Sequence, residues 1–190
     1  MWNEQIIMML LEGIKDTLYM TLTSTLIGYV IGLPMGILLT VTDKDGIHPN
    51  AAVYKVLDVI ANLIRSVPFL ILLIVLIPFT RFLIGRSYGP TATIVPLVIA
   101  AAPYIARMVE SSLKEVDAGV IEAARSMGAS NFTIVTKVML VEARTSLIVG
   151  ATISLGTILG YSAMAGTVGG GGLGDIAIRY GYTRWQTDIM

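Results

Sequence analysis

An all-α integral membrane protein is the fold class this sequence predicts, and three observations predict it. Of its 190 residues 55% are hydrophobic and only 14% charged, against roughly 25% charged in soluble domains. The charged residues gather between apolar runs, several of them long enough for a hydrocarbon core of about 30 Å. Within two of those runs glycine recurs every fourth residue, at Gly28, Gly32 and Gly36 and again at Gly156 and Gly160, the spacing that lets helix backbones approach closely in lipid. Net charge is zero and the basic residues are scattered, so no stripe exists for a nucleic-acid backbone. The chain has no cysteine, which removes disulfides, thiolate metal sites and a thiol nucleophile.

Taken in order, residues 1–16 carry Glu4 and Glu12 before the first lysine, Lys15. They lack the basic start of a cleaved signal, and the first apolar run is expected to stay as a span. Span 1 is placed at 17–41, free of charge, with a kink expected at Pro34. Residues 42–50 hold the turn formers Asp43, Asp45, Gly46, Pro49 and Asn50 and return the chain. Span 2 is placed at 56–78. It contains Asp58 and Arg65, each costing about 2.5–3.5 kcal/mol at mid-bilayer, so both are expected near water or against protein. Span 3, at 92–106, is short, with bends expected at Pro96 and Pro103.

Residues 107–144 form the only extended polar region, and Glu110 precedes Lys114 by four residues, the favourable order for an intrahelical pair. Span 4 is placed at 147–165, and 166–190 reads as an extracytoplasmic loop with a flexible glycine turn at Gly169–Gly172. The whole of 1–190 reads as one transmembrane domain. Lys44, Lys55, Lys114, Arg125, Lys137 and Arg144 lie on the side of the long polar region, against Lys15, Arg81, Arg86, Arg179 and Arg184 opposite. That narrow excess predicts a cytoplasmic 107–144.

The chemistry-bearing residues are few. None of the lysines is followed by Ser or Thr, so a phosphate-binding loop is excluded and the glycine run cannot serve as one. His48 is the only histidine and stands in a turn-rich loop without partners for catalysis. No apolar run offers a serine–histidine pair, a metal cluster or paired carboxylates, which disfavours an intramembrane enzyme. The informative segment is 120–140. Asp117 is placed to cap a short helix, Ala123 and Ala124 favour that helix, Gly128 can end it in the left-handed conformation, and Ser130 can cap the next. A rigid helical knob of this kind can enter a groove on a partner. Tyr161, Ser162 and Met164 are candidates for a translocation pathway, since a hydroxyl can meet a charged substrate end and a thioether can close on an apolar one. Arg65, Arg107 and Glu110 are candidates for pairing at span ends, with lining of the exit as the alternative role for Arg65 and Glu110.

The run Glu122-Ala123-Ala124 followed by Gly128 resembles the cytoplasmic signature of ABC-importer permeases. The segments 64–69 (Ile-Arg-Ser-Val-Pro-Phe), 102–110 (Ala-Pro-Tyr-Ile-Ala-Arg-Met-Val-Glu) and 160–166 (Gly-Tyr-Ser-Ala-Met-Ala-Gly) are similar to those of the methionine-uptake permeases in particular. The resemblance covers nearly the whole chain with its segments in the family's order. It implies a type I ABC-importer permease bundle, with the four spans above and a fifth beyond Met190. It also implies a homodimer in the bacterial inner membrane, two ABC ATPase subunits, and an extracytoplasmic substrate-binding protein or lipoprotein delivering L- or D-methionine. ATP and magnesium would then be bound by the ATPase partner and no cofactor by this chain. Glu122 would touch that partner, Ala123 and Ala124 would permit close approach, and Gly128 would end the coupling helix. In one departure from the family's pattern Leu140 is followed by Val141 instead of proline, so the bend there should be weaker. A permease for another small solute and a non-transporting membrane scaffold are the alternative readings.

Overall fold

A computed structural model describes residues 4–190, and every regular element among them is helical. Helix α1 (Glu4–Thr42) runs through Pro34 without interruption. It is followed by α2 (Ala51–Ser66), α3 (Phe69–Val75), α4 (Ile77–Ile84) and α5 (Pro90–Lys114). Next come α6 (Ala118–Ser126), α7 (Asn131–Thr133), a π-helical stretch Ile134–Met139, α8 (Leu140–Glu142) and α9 (Arg144–Ala165). A 3₁₀ turn Gly166–Val168, α10 (Gly172–Ile176) and a second π-helical stretch Ala177–Tyr182 end the ordered elements. The helices Glu4–Thr42 and Pro90–Lys114 and the helical run Arg144–Tyr182 are long and apolar enough to cross a membrane.

One expectation changes here. The stretch placed as one span at 56–78 is broken: α2 and α3 are bent by 102° at a short break. Ser66 is the last residue of α2, and Pro68 precedes α3 with φ −54° and ψ 134°. A proline lacks the N–H of an interior helical bond and pushes its predecessor out of the helical region, so an apolar run does not guarantee a straight helix. Past the apolar run at 92–106 the same helix continues to Lys114, carrying Arg107, Glu110 and Lys114 on one face, in keeping with the helical pattern expected of that polar stretch. Pro96 and Pro103 lie inside α5 without ending it.

The chain gathers into two compact units, residues 1–27, 67–100 and 155–190 in one and residues 28–66 and 101–154 in the other. In the second unit α1 and α5 lie side by side and run the same way, because Gly28 faces Ala101, Gly32 faces Ala102 and Ile105, and Gly36 faces Ala106 and Val109. A Cβ on Gly32 would lie 2.6 Å from the Ala102 carbonyl oxygen and one on Gly36 2.5 Å from that of Ala106. No real side chain tolerates such distances, so the glycine stripe is what lets these backbones touch. α9 runs opposite to α5: Ser146 donates to Ser112 at 3.0 Å, and Gly150 stands over Met108.

In the first unit the glycines of 166–174 are packed, which corrects the expectation of a flexible turn. Gly169 and Gly171 hold φ of 81° and 84°. The Gly89 amide donates to the Gly169 carbonyl at 2.9 Å, and the Thr17 hydroxyl accepts from the Leu173 amide at 2.9 Å. A Cβ on Gly170 would lie 2.7 Å from the Ala165 carbonyl. With so little room for side chains the segment folds into short helical turns instead of an open loop.

Candidate functional site

The knob is built by local capping. The Asp117 carboxylate accepts from the Gly119 amide at 2.7 Å and starts α6. The helix ends where the Gly128 amide donates to the Arg125 carbonyl at 2.9 Å and the Ala129 amide to the Ala124 carbonyl at 3.1 Å. This paired closure requires a left-handed residue at Gly128, whose φ is +82°. Ser130 then accepts from the Thr133 amide at 3.2 Å and starts α7.

Glu122 and Ala123 are exposed on α6, whereas Ala124 is buried. Of the alanine pair, only Ala123 is therefore presented outward, and Ala124 seats the helix on its own chain. Two large apolar side chains that sequence reasoning passed over stand free on either side of the Gly128 turn, Met127 and Phe132, at 82% and 77% exposure. Apolar residues flanking a glycine within an otherwise polar region were the available signal. Beside α6 lies a cavity of about 500 Å³ whose lining includes Asp43, Lys114, Glu122 and Arg125.

Below the knob is a row of ion pairs. Glu110, only 5% exposed, accepts from Arg107 at 2.6 Å, from Lys114 at 2.8 Å and from the Tyr54 hydroxyl at 3.4 Å. Arg107 also pairs with Asp58 of α2 and donates to Asn62 at 3.1 Å. Lys114 pairs with Asp43 at 2.7 Å, just past the end of α1. The hydrogen bond from Lys114 holds the Asp43 carboxyl below its ordinary value, against a smaller desolvation effect. The Glu110–Lys114 pair was legible from its spacing, but Asp43 and Asp58 as its outer partners were not. An acidic residue in an apolar run signals only that some cation must meet it. Removing Arg107 would take a cation from the buried Glu110 and from Asp58 together, a loss of about 3–5 kcal/mol where the stranded charge is buried.

Arg65 does not join them. Its side chain is exposed in the last turn of α2 and makes no ion pair among the described residues. In that turn its positive charge complements the free carbonyls of the helix end.

The three pathway candidates separate. The Ser162 hydroxyl is 1% exposed, donates to the Leu159 carbonyl at 2.8 Å and accepts from Thr21 at 3.5 Å, a packing arrangement. The Tyr161 ring stacks on Phe69 with centroids 4.5 Å apart and planes 6° from parallel. Met164 is 51% exposed and projects from the unit. Around it α9 presents an open face on which a Cβ at Gly156 or Gly160 would meet nothing within 4 Å.

Comparison with known proteins agrees with this architecture. The family described as "Binding-protein-dependent transport system inner membrane component" matches residues 8–187. The chain is 47% identical over 182 residues to the probable D-methionine transport system permease protein MetI of Vibrio cholerae serotype O1, covering 96% of this chain and 81% of that one. It is 51% identical over 164 residues to the D-methionine transport system permease protein MetI of Escherichia coli K12, covering 86% and 76%. A chain from solved inward-facing conformations of the MetNI methionine ABC transporter superposes with a TM-score of 0.97 at 50% identity, over all of this chain and 88% of that one. A solved amino acid ABC transporter, 22% identical with a TM-score of 0.76, shares the fold. The all-helical architecture is that of a type I ABC permease, and this chain belongs to the family of inner membrane components of binding-protein-dependent transport systems.

Proposed function

We propose that the chain is the membrane-spanning subunit of an ATP-driven methionine importer. In this reading it moves methionine by alternating access while a separate ABC ATPase hydrolyses ATP. The observation that carries the reading is α6: a helix fixed at both ends by caps, with Glu122 exposed and Met127 and Phe132 free beside it, on a chain whose relatives are methionine permeases. Two copies of this chain pair around a central path, and each offers α6 to one ATPase subunit. An extracytoplasmic binding protein delivers the substrate.

No covalent bond changes on this chain. Its work is to exist in outward-open and inward-open forms and to let the ATPase favour one of them. A ligand shifts such an equilibrium only by its difference in affinity for the two forms, and about 5.5 kcal/mol is needed to carry it from 1:99 to 99:1. Glu122, Ala123 and Gly128 shape the surface through which that difference acts, and Ala124 seats it. Met164 lines the path, Tyr161 stands beside it against Phe69, and Ser162 holds α9 through Thr21. Because no lysine here is followed by Ser or Thr, ATP and magnesium belong to the partner.

The test is ATP-dependent uptake of labelled L- and D-methionine into vesicles holding the permease, its co-expressed ATPase and the binding protein, with other amino acids as competitors. Uptake inhibited by methionine alone is expected. ATP hydrolysis with uptake of a different amino acid would overturn the substrate assignment. For topology, a single cysteine at Ser130 in this cysteine-free chain should resist an impermeant thiol reagent in intact cells and react once they are permeabilised. Equal labelling in both would invert the orientation.

A further inference from the structure

Within one compact unit an unbroken line of polar contacts connects α6 to α2. Arg125 of α6 donates from Nη2 to the Ile47 carbonyl at 2.9 Å. Ile47 belongs to the connection between α1 and α2, and that connection is stiff. The His48 amide donates to the Val41 carbonyl at 3.0 Å and the Asn50 amide to that of Thr42 at 2.9 Å, while the Asn50 side chain caps α2 by accepting from the Val53 amide at 3.1 Å. The same connection begins at Asp43, which receives Lys114 at 2.7 Å. Lys114 passes to Glu110 at 2.8 Å, Glu110 to Arg107 at 2.6 Å, and Arg107 to Asp58 on α2.

Glu110 is the member on which both halves depend. It is nearly fully buried, yet it accepts from a cation on either side and from Tyr54 as well. If the connection carrying Asp43 moved away with Lys114, or α2 moved away with Arg107, one cation would leave a carboxylate that water does not reach. Such a separation is costly in a low-dielectric site. α2, the connection and the end of α5 therefore shift together while Glu110 is ionised and in place.

We propose that Glu110 is a positioning residue for transport: it locks α2 to the end of α5 and to the connection held by Arg125, so that displacement of α6 by the ATPase reaches α2. The proposal rests on the reading of α6 as the ATPase-facing helix. The role is distinct from that of Glu122, which lies on the exposed surface of α6. Glu110 is buried and acts through Arg107, Lys114 and Tyr54.

The experiment compares wild type, Glu110→Gln and Glu110→Asp in vesicles containing the permease, its ATPase and the binding protein, measuring methionine uptake and ATP hydrolysis in the same sample. Glutamine keeps the shape and leaves Arg107 with Asp58 and Lys114 with Asp43, so membrane level and assembly with the ATPase should hold. Uptake per ATP hydrolysed should fall about tenfold, within the usual range of coupling between sites, and Glu110→Asp should recover part of it. Asp43→Asn, at the surface end of the row, gives the same direction of change without altering a buried group and serves if Glu110→Gln does not accumulate. A second readout needs no substrate: spin labels at Val59→Cys on α2 and Ser126→Cys on α6 should keep their separation on ATP addition in wild type, where the two helices move together, and change it in Glu110→Gln. Unchanged uptake per ATP, or a label separation that stays as constant in the glutamine variant as in wild type, would overturn the proposal. A wild type that binds no ATPase would instead overturn the reading of α6, and one that hydrolyses ATP without methionine uptake would overturn the substrate assignment while the label separation still judges Glu110.

Discussion

The glycine stripe of α1 and that of α9 share a spacing and have opposite surroundings. On α1, Gly28, Gly32 and Gly36 are pressed onto α5, and a Cβ at Gly36 would sit 2.5 Å from the Ala106 carbonyl. The same seam is extended by the Asp43–Lys114 ion pair beyond the end of α1. On α9, a Cβ at Gly156 or Gly160 would meet nothing within 4 Å among the described residues, and the neighbouring Ile153, Leu159 and Met164 are exposed. Small residues in a membrane helix thus mark a face that can be approached closely. Whether the approaching surface belongs to the same chain is a separate question, and here the two stripes answer it differently.

The most direct way to break this contrast is Gly36→Val. Neither the α1 nor the α5 backbone can yield locally, so the helices must separate, and the cost should reach about 3 kcal/mol. The expected result is a steep loss of folded permease, seen as detergent-solubilised protein that aggregates on size exclusion. A monodisperse variant at wild-type level would mean that the α1–α5 contact is not tight.

Gly128→Val sharpens the contrast, because Gly128 has open space around it and still should not tolerate a side chain. Its φ of +82° is forbidden to a β-branched residue at a cost of about 1–3 kcal/mol. The strain is confined to the end of α6, so membrane level should stay near normal while ATP-driven uptake falls several-fold. Normal uptake at normal level would remove the main local support for a coupling role.

The polar end of the α1 seam has a pH signature. Asp43 titrates below its ordinary value of 3.8 when folded, so its contribution to stability is fully present above that value and is lost as pH falls through the depressed folded one. Thermal unfolding of Asp43→Asn and wild type should therefore differ by a constant amount between pH 7 and 5. The two should converge only in stronger acid, and convergence already by pH 5 would show that the Lys114 pair does not hold in solution.

The smallest effect is expected at Gly156→Ala. Alanine is the better helix former by about 0.5–1 kcal/mol, and none of the described residues opposes its methyl group. Thermal stability of the isolated subunit should be unchanged or slightly higher. A marked destabilisation would mean that the α9 face is closed within the chain after all.

The sequence by itself determined what depends on near neighbours and on solvent. Apolar length and the rarity of charge dictated membrane helices. Asp117, Gly128 and Ser130 dictated the caps of the knob, because a cap is satisfied within a few residues. The four-residue spacing dictated the Glu110–Lys114 pair. Only the tertiary structure decided the break of the 56–78 stretch into α2 and α3, the burial of Ala124 beside an exposed Ala123, and the packing of the 166–174 glycines. It also decided that Arg107 should find Asp58 and Lys114 should find Asp43 while Arg65 stays apart. The reason is physical: hydropathy and capping act over a turn or two of backbone. The partner of a buried charge or of a bare glycine is set by which distant helix arrives beside it, and that depends on all the helices packing at once.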